Sequence, residues 1–291
     1  MFDTLLQSIV TGLLLGGLYA IIGVGMSLIF GIMKLTNIAH GDIMILSTFL
    51  TMWITENLTN NAFLALPITI VLMLIFAFLV QKFLVNKVIV KGDEPALLVT
   101  FGLSIIISNG LFLMFGANTH KIAIPFAGTN LISTKFVSIS AMYAFSFIVA
   151  VVVIIALSLV INKSSMGRAI RATSSDTTVS ELLGVNTKKM YIYAMGLTVI
   201  TASIAGLLVG ATFPFAPSTG SQYLIIAFGV VVIGGMGSLV GTLIGGMILG
   251  FAQLVGGDLI DPIYQQLIGY LVLLILLAIR PQGLLSKAIR K

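Results

Sequence analysis

The stretch "GLLLGGLYAIIGVGMSLIFGIMKLTNIAHGDIMIL" at residues 12–46 decides the fold class. It continues an apolar run over residues 5–33, turns polar in "TNIAHGD" (36–42), and then becomes apolar again. A hydrocarbon core about 30 Å thick requires roughly 20 apolar residues of helix. The stretch therefore predicts a membrane-spanning helix, a polar break and a second membrane-embedded segment.

Composition places the whole chain in the same class. Of its 291 residues, 58% are hydrophobic and 8% are charged, and the mean hydropathy is +1.17. Soluble domains are about 45–50% apolar and about 25% charged. The net charge of +6 is explained by Lys and Arg in loops, without nucleic acid as a partner. The start "MFDTLLQS" lacks the basic region of a signal peptide, so we expect the first span to be retained.

Apolar segments predict an all-α fold, a polytopic transmembrane helical bundle that forms one domain over residues 1–291. Two late segments are short and joined by glycines, so we expect about eight full spans, half-helices at glycine-rich breaks, and one re-entrant piece. The segments are 5–33, 38–55, 62–81, 95–116, 140–161, 189–213, 220–236, 239–256 and 264–280.

Basic residues predict which side of the bundle faces the cytoplasm. If the nine segments alternate in direction, all of the 15 basic residues except Lys121 and Lys135 fall on one side. Lys and Arg accumulate in the cytoplasmic loops of membrane proteins. We therefore expect a cytoplasmic C-terminus, an external loop at 117–139 with room for a small hairpin, and a cytoplasmic polar stretch at 162–188.

The cytoplasmic stretch carries helix signals. Asp176 and the two serines before it offer N-cap chemistry for a short helix over 177–183, which stops at Gly184. Exposed apolar residues on such a helix usually need a partner. The alternative is a solvated loop that only carries positive charge. The residues expected to couple to a partner are Arg168, Arg171, Val179, Glu181, Leu182, Leu183 and Gly184.

Two interpretations of "TNIAHGD" remain open from the residues alone. It is either a polar loop at the membrane surface or a helix start inside the membrane, where non-helical backbone must be buried in protein or line a cavity. A second glycine-rich break at 234–241 favours the latter, because paired breaks in two halves of a chain indicate a site between internal repeats. The candidate pathway residues are Asn37, His40, Gly41, Asp42, Gly234, Gly235 and Gly237.

The motifs of common catalytic sites are absent from the sequence. It contains no P-loop, no H-E-x-x-H, no G-x-S-x-G and no cysteine, and its two histidines fall on opposite predicted sides. Acidic residues other than Asp42 lie in predicted loops or termini, so a proton relay through the spans is not expected. We therefore expect a non-enzymatic transporter that has no metal or cofactor of its own and is driven from outside the bilayer.

Four stretches, in order and over most of the length, resemble the permease subunits of branched-chain amino-acid ABC importers. Residues 12–46 are similar to that family's glycine-rich first span and N-x-A-H-G-[DE] turn, and "GRAIRATSSDTTVSELLGVN" (167–186) to its coupling stretch. The other two are "GLTVITASIAGLLVGA" (196–211) and "VVIGGMGSLVGTLIGG" (231–246). The sequence departs from the family pattern at Ser180 and Glu181, and at 45–51, where relatives tend to have a glycine.

The resemblance implies a multi-pass permease in a prokaryotic cell membrane that moves branched-chain or other hydrophobic amino acids inward. It implies as partners a second homologous permease, two ATP-binding cassette subunits that use the ATP, and an extracytoplasmic substrate-binding protein. Two alternatives remain: a permease of the same kind for urea, short amides, nucleosides or sugars, and a self-contained channel or facilitator. Neighbouring genes for an ATPase and a binding protein would argue against the channel.

Overall fold

The computed structural model describes residues 2–89, 92–134 and 137–285. Within these residues, eight helices are long and apolar enough to cross a membrane, which confirms the predicted all-α transmembrane bundle. The helices are α1 (Phe2–Met33), α2 (His40–Ile54), α3 (Ala62–Val80), α4 (Asn86–Val88), α5 (Asp93–Phe115), α6 (Ala141–Lys163), α7 (Ser165–Ser175), α8 (Thr177–Leu182), α9 (Thr187–Thr212), α10 (Gly220–Gly234), α11 (Leu239–Leu259) and α12 (Gln265–Ile279).

Short irregular helices join several of these elements. A π-helical turn, Thr55–Thr59, follows α2, and another, Gln81–Val85, extends α3 into α4. Single 3-10 turns, Pro217–Thr219 and Pro262–Tyr264, precede α10 and α12. Of the nine predicted apolar segments, the one that forms α2 (15 residues) is not among the eight spans of the described residues, which are both long and apolar enough to cross a membrane.

The bundle has two distinct ends. Strands β1 (Asn130–Ser133) and β2 (Ser138–Ser140) pair antiparallel at one end, called here the hairpin side. Helices α7 and α8 lie at the other end, the α7–α8 side. Helix α1 connects the two ends, since Gln7 near its start donates a hydrogen bond to the Ser138 carbonyl at 2.6 Å, and its last turns reach α7.

Helix α1 runs through the centre of the bundle and packs against α6, α9, α10 and α11. Its closest neighbour is the antiparallel helix α11, because small residues face each other along the contact. A Cβ atom on Gly12 would lie 2.9 Å from the Phe251 Cα atom, and one on Gly16 would overlap the backbone of Met247. In lipid, small residues of this kind allow two helix backbones to approach closely.

The polar break after α1 leads back into the bundle. Helix α1 ends on the α7–α8 side, residues 34–39 are non-helical, and α2 begins at His40, whose Nε2 atom is 3.0 Å from the Ile22 carbonyl well inside α1. Helix α2 then continues to the hairpin side, where Phe49 packs against Phe115 and Phe215. Residues 34–54 therefore pass through the bundle, first as irregular backbone and then as a half-helix.

A second passage of the same kind runs in the opposite direction. Helix α9 ends at Thr212 on the hairpin side, residues 213–219 are non-helical apart from one 3-10 turn, and α10 runs from Gly220 to the α7–α8 side. The predicted re-entrant piece is thus wrong, since both breaks carry the chain through. The glycine-rich break predicted at 234–241 is present as the turn between α10 and α11 on the α7–α8 side, and its pairing with the first break stays a prediction. The break at 213–219 carries Pro214 and Pro217, which lack the N–H that a helix interior needs.

The two ends differ in charge as the sequence predicts. Among the described residues, Lys121 is the single basic residue on the hairpin side. The others, at the α7–α8 end, are Lys34, Lys82, Lys87, Lys163, Arg168, Arg171, Lys188, Lys189 and Arg280. Five further basic residues lie outside the described residues: Lys91, Lys135, Lys287, Arg290 and Lys291.

Candidate functional site

The two half-helices meet N-terminus to N-terminus in the middle of the bundle. Gly41 in the first turn of α2 lies against the Gly220 carbonyl at the start of α10. A Cβ atom on Gly41 would overlap that carbonyl oxygen, and a Cβ atom on Gly220 would overlap the Asp42 carboxylate. The contact therefore requires glycine on both helices.

Asp42 lies between the two N-termini. Its Oδ1 atom lies against Gly220, and its Oδ2 atom accepts a hydrogen bond from the Ser104 hydroxyl at 2.5 Å. Asp42 is 5% exposed. Each helix N-terminus is equivalent to roughly half a positive charge. A carboxylate between two such ends offsets their mutual repulsion, which accounts for an acidic residue at this buried position.

Asn37 and His40 shape the first break. The Asn37 Oδ1 atom accepts a hydrogen bond from the Ala39 N–H at 3.1 Å, and the His40 N–H donates to the Asn37 carbonyl at 3.1 Å. Both side chains are buried. Because the His40 Nε2 atom faces the Ile22 carbonyl, Nε2 carries the proton, and the bare Nδ1 has no partner among the described residues. His40 therefore anchors α2 to α1. Among the described residues, no group of three or more His, Cys, Asp or Glu side chains is placed to hold a metal ion.

A polar stripe on α5, missed by the sequence analysis, holds both breaks. The Ile38 N–H donates to the Thr100 hydroxyl at 3.4 Å, Ser104 binds Asp42, and the Ser108 hydroxyl donates to the Pro217 carbonyl at 3.3 Å. The three α5 residues are four positions apart and share one helical face. The sequence pattern that indicates this stripe is the spacing of hydroxyl residues at i, i+4 and i+8 in the apolar segment "TFGLSIIIS" (100–108).

The predicted pathway glycines Gly234, Gly235 and Gly237 lie at the end of α10, away from the contact between α2 and α10. Gly234 ends α10, and Gly235 and Gly237, both with positive φ, form the tight turn into α11 on the α7–α8 side. Gly237 packs against Gly31 at the end of α1. The structure thus brings Asn37, His40, Gly41 and Asp42 together, and separates them from the Gly234–Gly237 turn. Whether either group lines a pathway stays a prediction.

The predicted short helix in the polar stretch is present as α8. Its N-cap is Asp176, which accepts a hydrogen bond from the Val179 N–H at 3.0 Å, and Gly184 follows its end with a φ of 84°. Val179, Leu182 and Leu183 are 50%, 82% and 76% exposed. An apolar surface of this kind at the end of the bundle is suited to a protein partner.

The charged residues of this region partly serve the fold itself. The Glu181 carboxylate accepts a hydrogen bond from the Thr187 hydroxyl, which ties α8 to the start of α9. Arg171 donates to the Ile161 carbonyl at the end of α6, and Arg168 donates to the Lys163 carbonyl at 3.4 Å. Helix α9 then leads from α8 along α1, α2 and α3 to the second break.

Comparison with known proteins relates nearly the whole chain to transport permeases. A family model described as "Branched-chain amino acid transport system / permease component" matches residues 8–277. The chain is 28% identical to the high-affinity branched-chain amino acid transport system permease protein BraD of Pseudomonas aeruginosa, over 97% of this chain and 96% of that protein. It is 28% identical, with the same coverage, to the permease protein LivH of Escherichia coli. The ribose import permease protein RbsC of Escherichia coli is 32% identical over 43% of this chain and 41% of its own length.

Proposed function

Because the chain belongs to the branched-chain amino acid transport permease family, we propose that it moves branched-chain or other hydrophobic amino acids into the cell as the permease subunit of an ABC importer. The family match over residues 8–277 is the observation that carries the proposal. Two relatives that match nearly end to end are both named as high-affinity branched-chain amino acid permease proteins.

The assembly that we propose contains a second homologous permease, two ATP-binding cassette subunits and an external substrate-binding protein. The excess of Lys and Arg on the α7–α8 side supports a cytoplasmic position for that side and for the C-terminus. The exposed residues Val179, Leu182 and Leu183 supply an apolar contact for an ATPase subunit. The membrane is the prokaryotic cell membrane, and the ATP is bound and hydrolysed by the partners.

The connection between α8 and the two breaks supports a mechanism of alternating access. A displacement of α8 on ATP binding is transmitted through the Glu181–Thr187 hydrogen bond to α9. Helix α9 packs along α2 and ends at the second break, so its movement changes how α2 and α10 meet. The protein thus has a two-state element whose balance is set by ATP on one side and by loaded binding protein on the other.

A sugar is the second candidate cargo, because the ribose import permease is 32% identical over 43% of this chain. The discriminating experiment is ATP-dependent uptake by proteoliposomes that contain the chain with its cognate partner subunits and binding protein. We expect uptake of leucine, isoleucine or valine, and none with a non-hydrolysable ATP analogue. Uptake of ribose or urea without leucine would reject the amino-acid assignment, and uptake by the chain without its partners would identify a channel.

A further inference from the structure

A cavity of about 330 Å³ lies on the α7–α8 side of the bundle, between the last turns of α1 and α6, helix α7 and the first turn of α11. Ligand sites in proteins are typically clefts of about 300–1,000 Å³. Apolar side chains such as Leu28 and Ile170 form part of its wall, and none of its lining residues is acidic. The polar lining residues are Ser27, Ser158, Asn162, Arg171, Ser174 and Ser238.

Arg171 supplies the positive charge of this cavity. Its Nη1 atom donates hydrogen bonds to the Ile161 carbonyl and, at 3.5 Å, to the Asn162 Oδ1 atom. Its Nε and Nη2 atoms make no hydrogen bond with the described residues. A guanidinium group has five N–H donors and can bind two phosphate oxygens at once. Arg171 is therefore held in place by the end of α6 and keeps donors for an anion.

Helix α11 begins at the same cavity. Ser238 caps the helix, since its hydroxyl accepts a hydrogen bond from the Gly241 N–H at 3.1 Å. The N–H groups of Leu239 and Val240, which both line the cavity, have no hydrogen-bond partner in the described part of the chain. A helix of 21 residues carries a partial positive charge at this end, and free N–H groups there bind phosphate oxygens. Helix α11 therefore favours an anion in the cavity independently of Arg171.

Ser27 gives separate evidence for a ligand. It lines the cavity from α1 and is fully buried, yet its hydroxyl has no hydrogen-bond partner among the residues that the structure describes. Other buried serines of the spans avoid this state, because Ser146 and Ser203 donate to the carbonyl four residues earlier. Burial of a polar group without a partner is unfavourable. An oxygen atom of a ligand in the cavity would accept this hydrogen bond.

An apolar stripe on α6 leads along the bundle to this cavity. The stripe is formed by Val152, Ile155 and Leu159, which are 59%, 54% and 47% exposed. Ser158 and Asn162 lie three and seven positions after Ile155, so they continue the same helical face into the cavity. Exposed apolar side chains on a membrane-spanning helix are suited to lipid chains. The stripe and the cavity thus match the two parts of a phospholipid, its acyl chain and its headgroup.

We propose that the cavity binds the phosphate group of an anionic phospholipid from the leaflet on the α7–α8 side. Arg171, Ser27 and the N-terminus of α11 hold the phosphate, and an acyl chain lies along the stripe on α6. Because no acidic residue lines the cavity, the amine of a zwitterionic headgroup finds no partner there. Basic pockets between membrane-spanning helices bind anionic headgroups by the same chemistry. The site goes beyond the proposed function, since it requires no particular cargo.

Lipid binding to the purified full chain tests the proposal. The chain is transferred into detergent with known amounts of phosphatidylglycerol or phosphatidylcholine, and bound lipid is measured by native mass spectrometry. We expect phosphatidylglycerol to bind more tightly than phosphatidylcholine, and Arg171→Gln to weaken phosphatidylglycerol about tenfold, because a hydrogen bond between charged groups is lost. The matched control is Arg168→Gln, which removes an equal charge from α7 but does not line the cavity. This control should bind phosphatidylglycerol as the unmodified chain does.

Val240→Glu tests the site without removing a contact of the fold. Val240 is 56% exposed, and a carboxylate in the first turn of α11 interacts favourably with the helix N-terminus, so the thermal unfolding midpoint should not fall. The same carboxylate repels phosphate, so we expect phosphatidylglycerol binding to fall about tenfold.

Three results would overturn the site: equal binding of the two lipids, equal binding by Arg171→Gln and Arg168→Gln, or unchanged binding by Val240→Glu. Inorganic phosphate is the remaining comparison, since it carries the same chemical group without an acyl chain. We expect it to raise the thermal unfolding midpoint of the chain less than phosphatidylglycerol does. An equal rise would reject the lipid and assign the cavity to free phosphate.

Discussion

At the scale of single residues, the centre of the bundle depends on three residues, Gly41, Gly220 and Asp42, that no other residue type can replace without loss. Gly41 and Gly220 permit backbone contact between two helix ends, and Asp42 supplies the charge that these ends require. None of the three needs to touch cargo to be essential. Their roles are to bring α2 and α10 together and to hold them there.

Replacement of Gly41 with alanine should strongly destabilise the protein. The new methyl group would overlap the Gly220 carbonyl oxygen, and overpacking of this kind costs about 1–3 kcal/mol or more. Thermal unfolding in detergent, followed with purified protein, should show a clear drop in the midpoint. The matched control is Gly110→Ala on α5, where a Cβ atom would meet nothing within 4 Å. A Gly41→Ala protein as stable as Gly110→Ala would contradict the close contact.

Replacement of Asp42 with asparagine tests the charge separately from the size. Asparagine can still accept the hydrogen bond from Ser104, but the attraction to the two helix ends is lost, which we expect to cost about 1–2 kcal/mol. The same thermal measurement applies, with Asp3→Asn as a control, since Asp3 is an exposed acidic residue in the first turn of α1. Equal stability of the two variants would show that Asp42 acts through its hydrogen bond alone.

At the scale of elements, long apolar helices were predictable and their partners were not. Segment boundaries followed from hydropathy, and α8 followed from its caps at Asp176 and Gly184. The break at 213–219 was not predicted, because Pro214 and Pro217 carry no glycine-rich pattern, whereas Gly234 and Gly237 do. The contact between α2 and α10 joins residues far apart in sequence, and local pattern holds no information about it.

Helix α8 offers a prediction at this scale. Leu182→Asp should weaken ATPase docking and reduce ATP-driven uptake about tenfold or more, because a charge on a buried apolar contact costs several kcal/mol on binding. The permease itself should remain as stable as the unmodified protein, since Leu182 is 82% exposed. Co-purification of the ATPase subunits and uptake are the two measurements. Thr177→Ala, at an exposed polar position in the first turn of α8, is the control.

At the scale of the whole molecule, two passages of opposite direction give the bundle an inverted internal symmetry. Each consists of a long helix, an irregular segment and a half-helix, at residues 2–54 and 187–234. Sequence similarity between the two is weak, so the symmetry could not be derived from the residues. This symmetry matters for transport, because two inverted repeats can each adopt the conformation of the other. The protein can then open first to one side of the membrane and then to the other.

The accessibility of Asn37 to water can be used to follow the change between the two conformations. Asn37 is 6% exposed in the present arrangement, so we expect Asn37→Cys to resist a thiol reagent in this state. A tenfold or greater rise in its labelling rate, when the ATPase subunits are trapped with or without nucleotide, would show that the first break opens to water in the other state. Constant high reactivity in every state would instead return residues 36–42 to the status of an ordinary loop.

The central position of α1 also has a consequence for biosynthesis. In its most apolar window, 83% of α1 is buried inside the protein, more than in any other described span. Its closest partner, α11, leaves the ribosome roughly 200 residues later, and contacts between such distant segments form slowly. The glycine face of α1 must therefore remain in lipid, or be held by an insertion factor, until the end of translation. Chains truncated before α11 should be degraded rather than assembled, and quality control of this permease should act late.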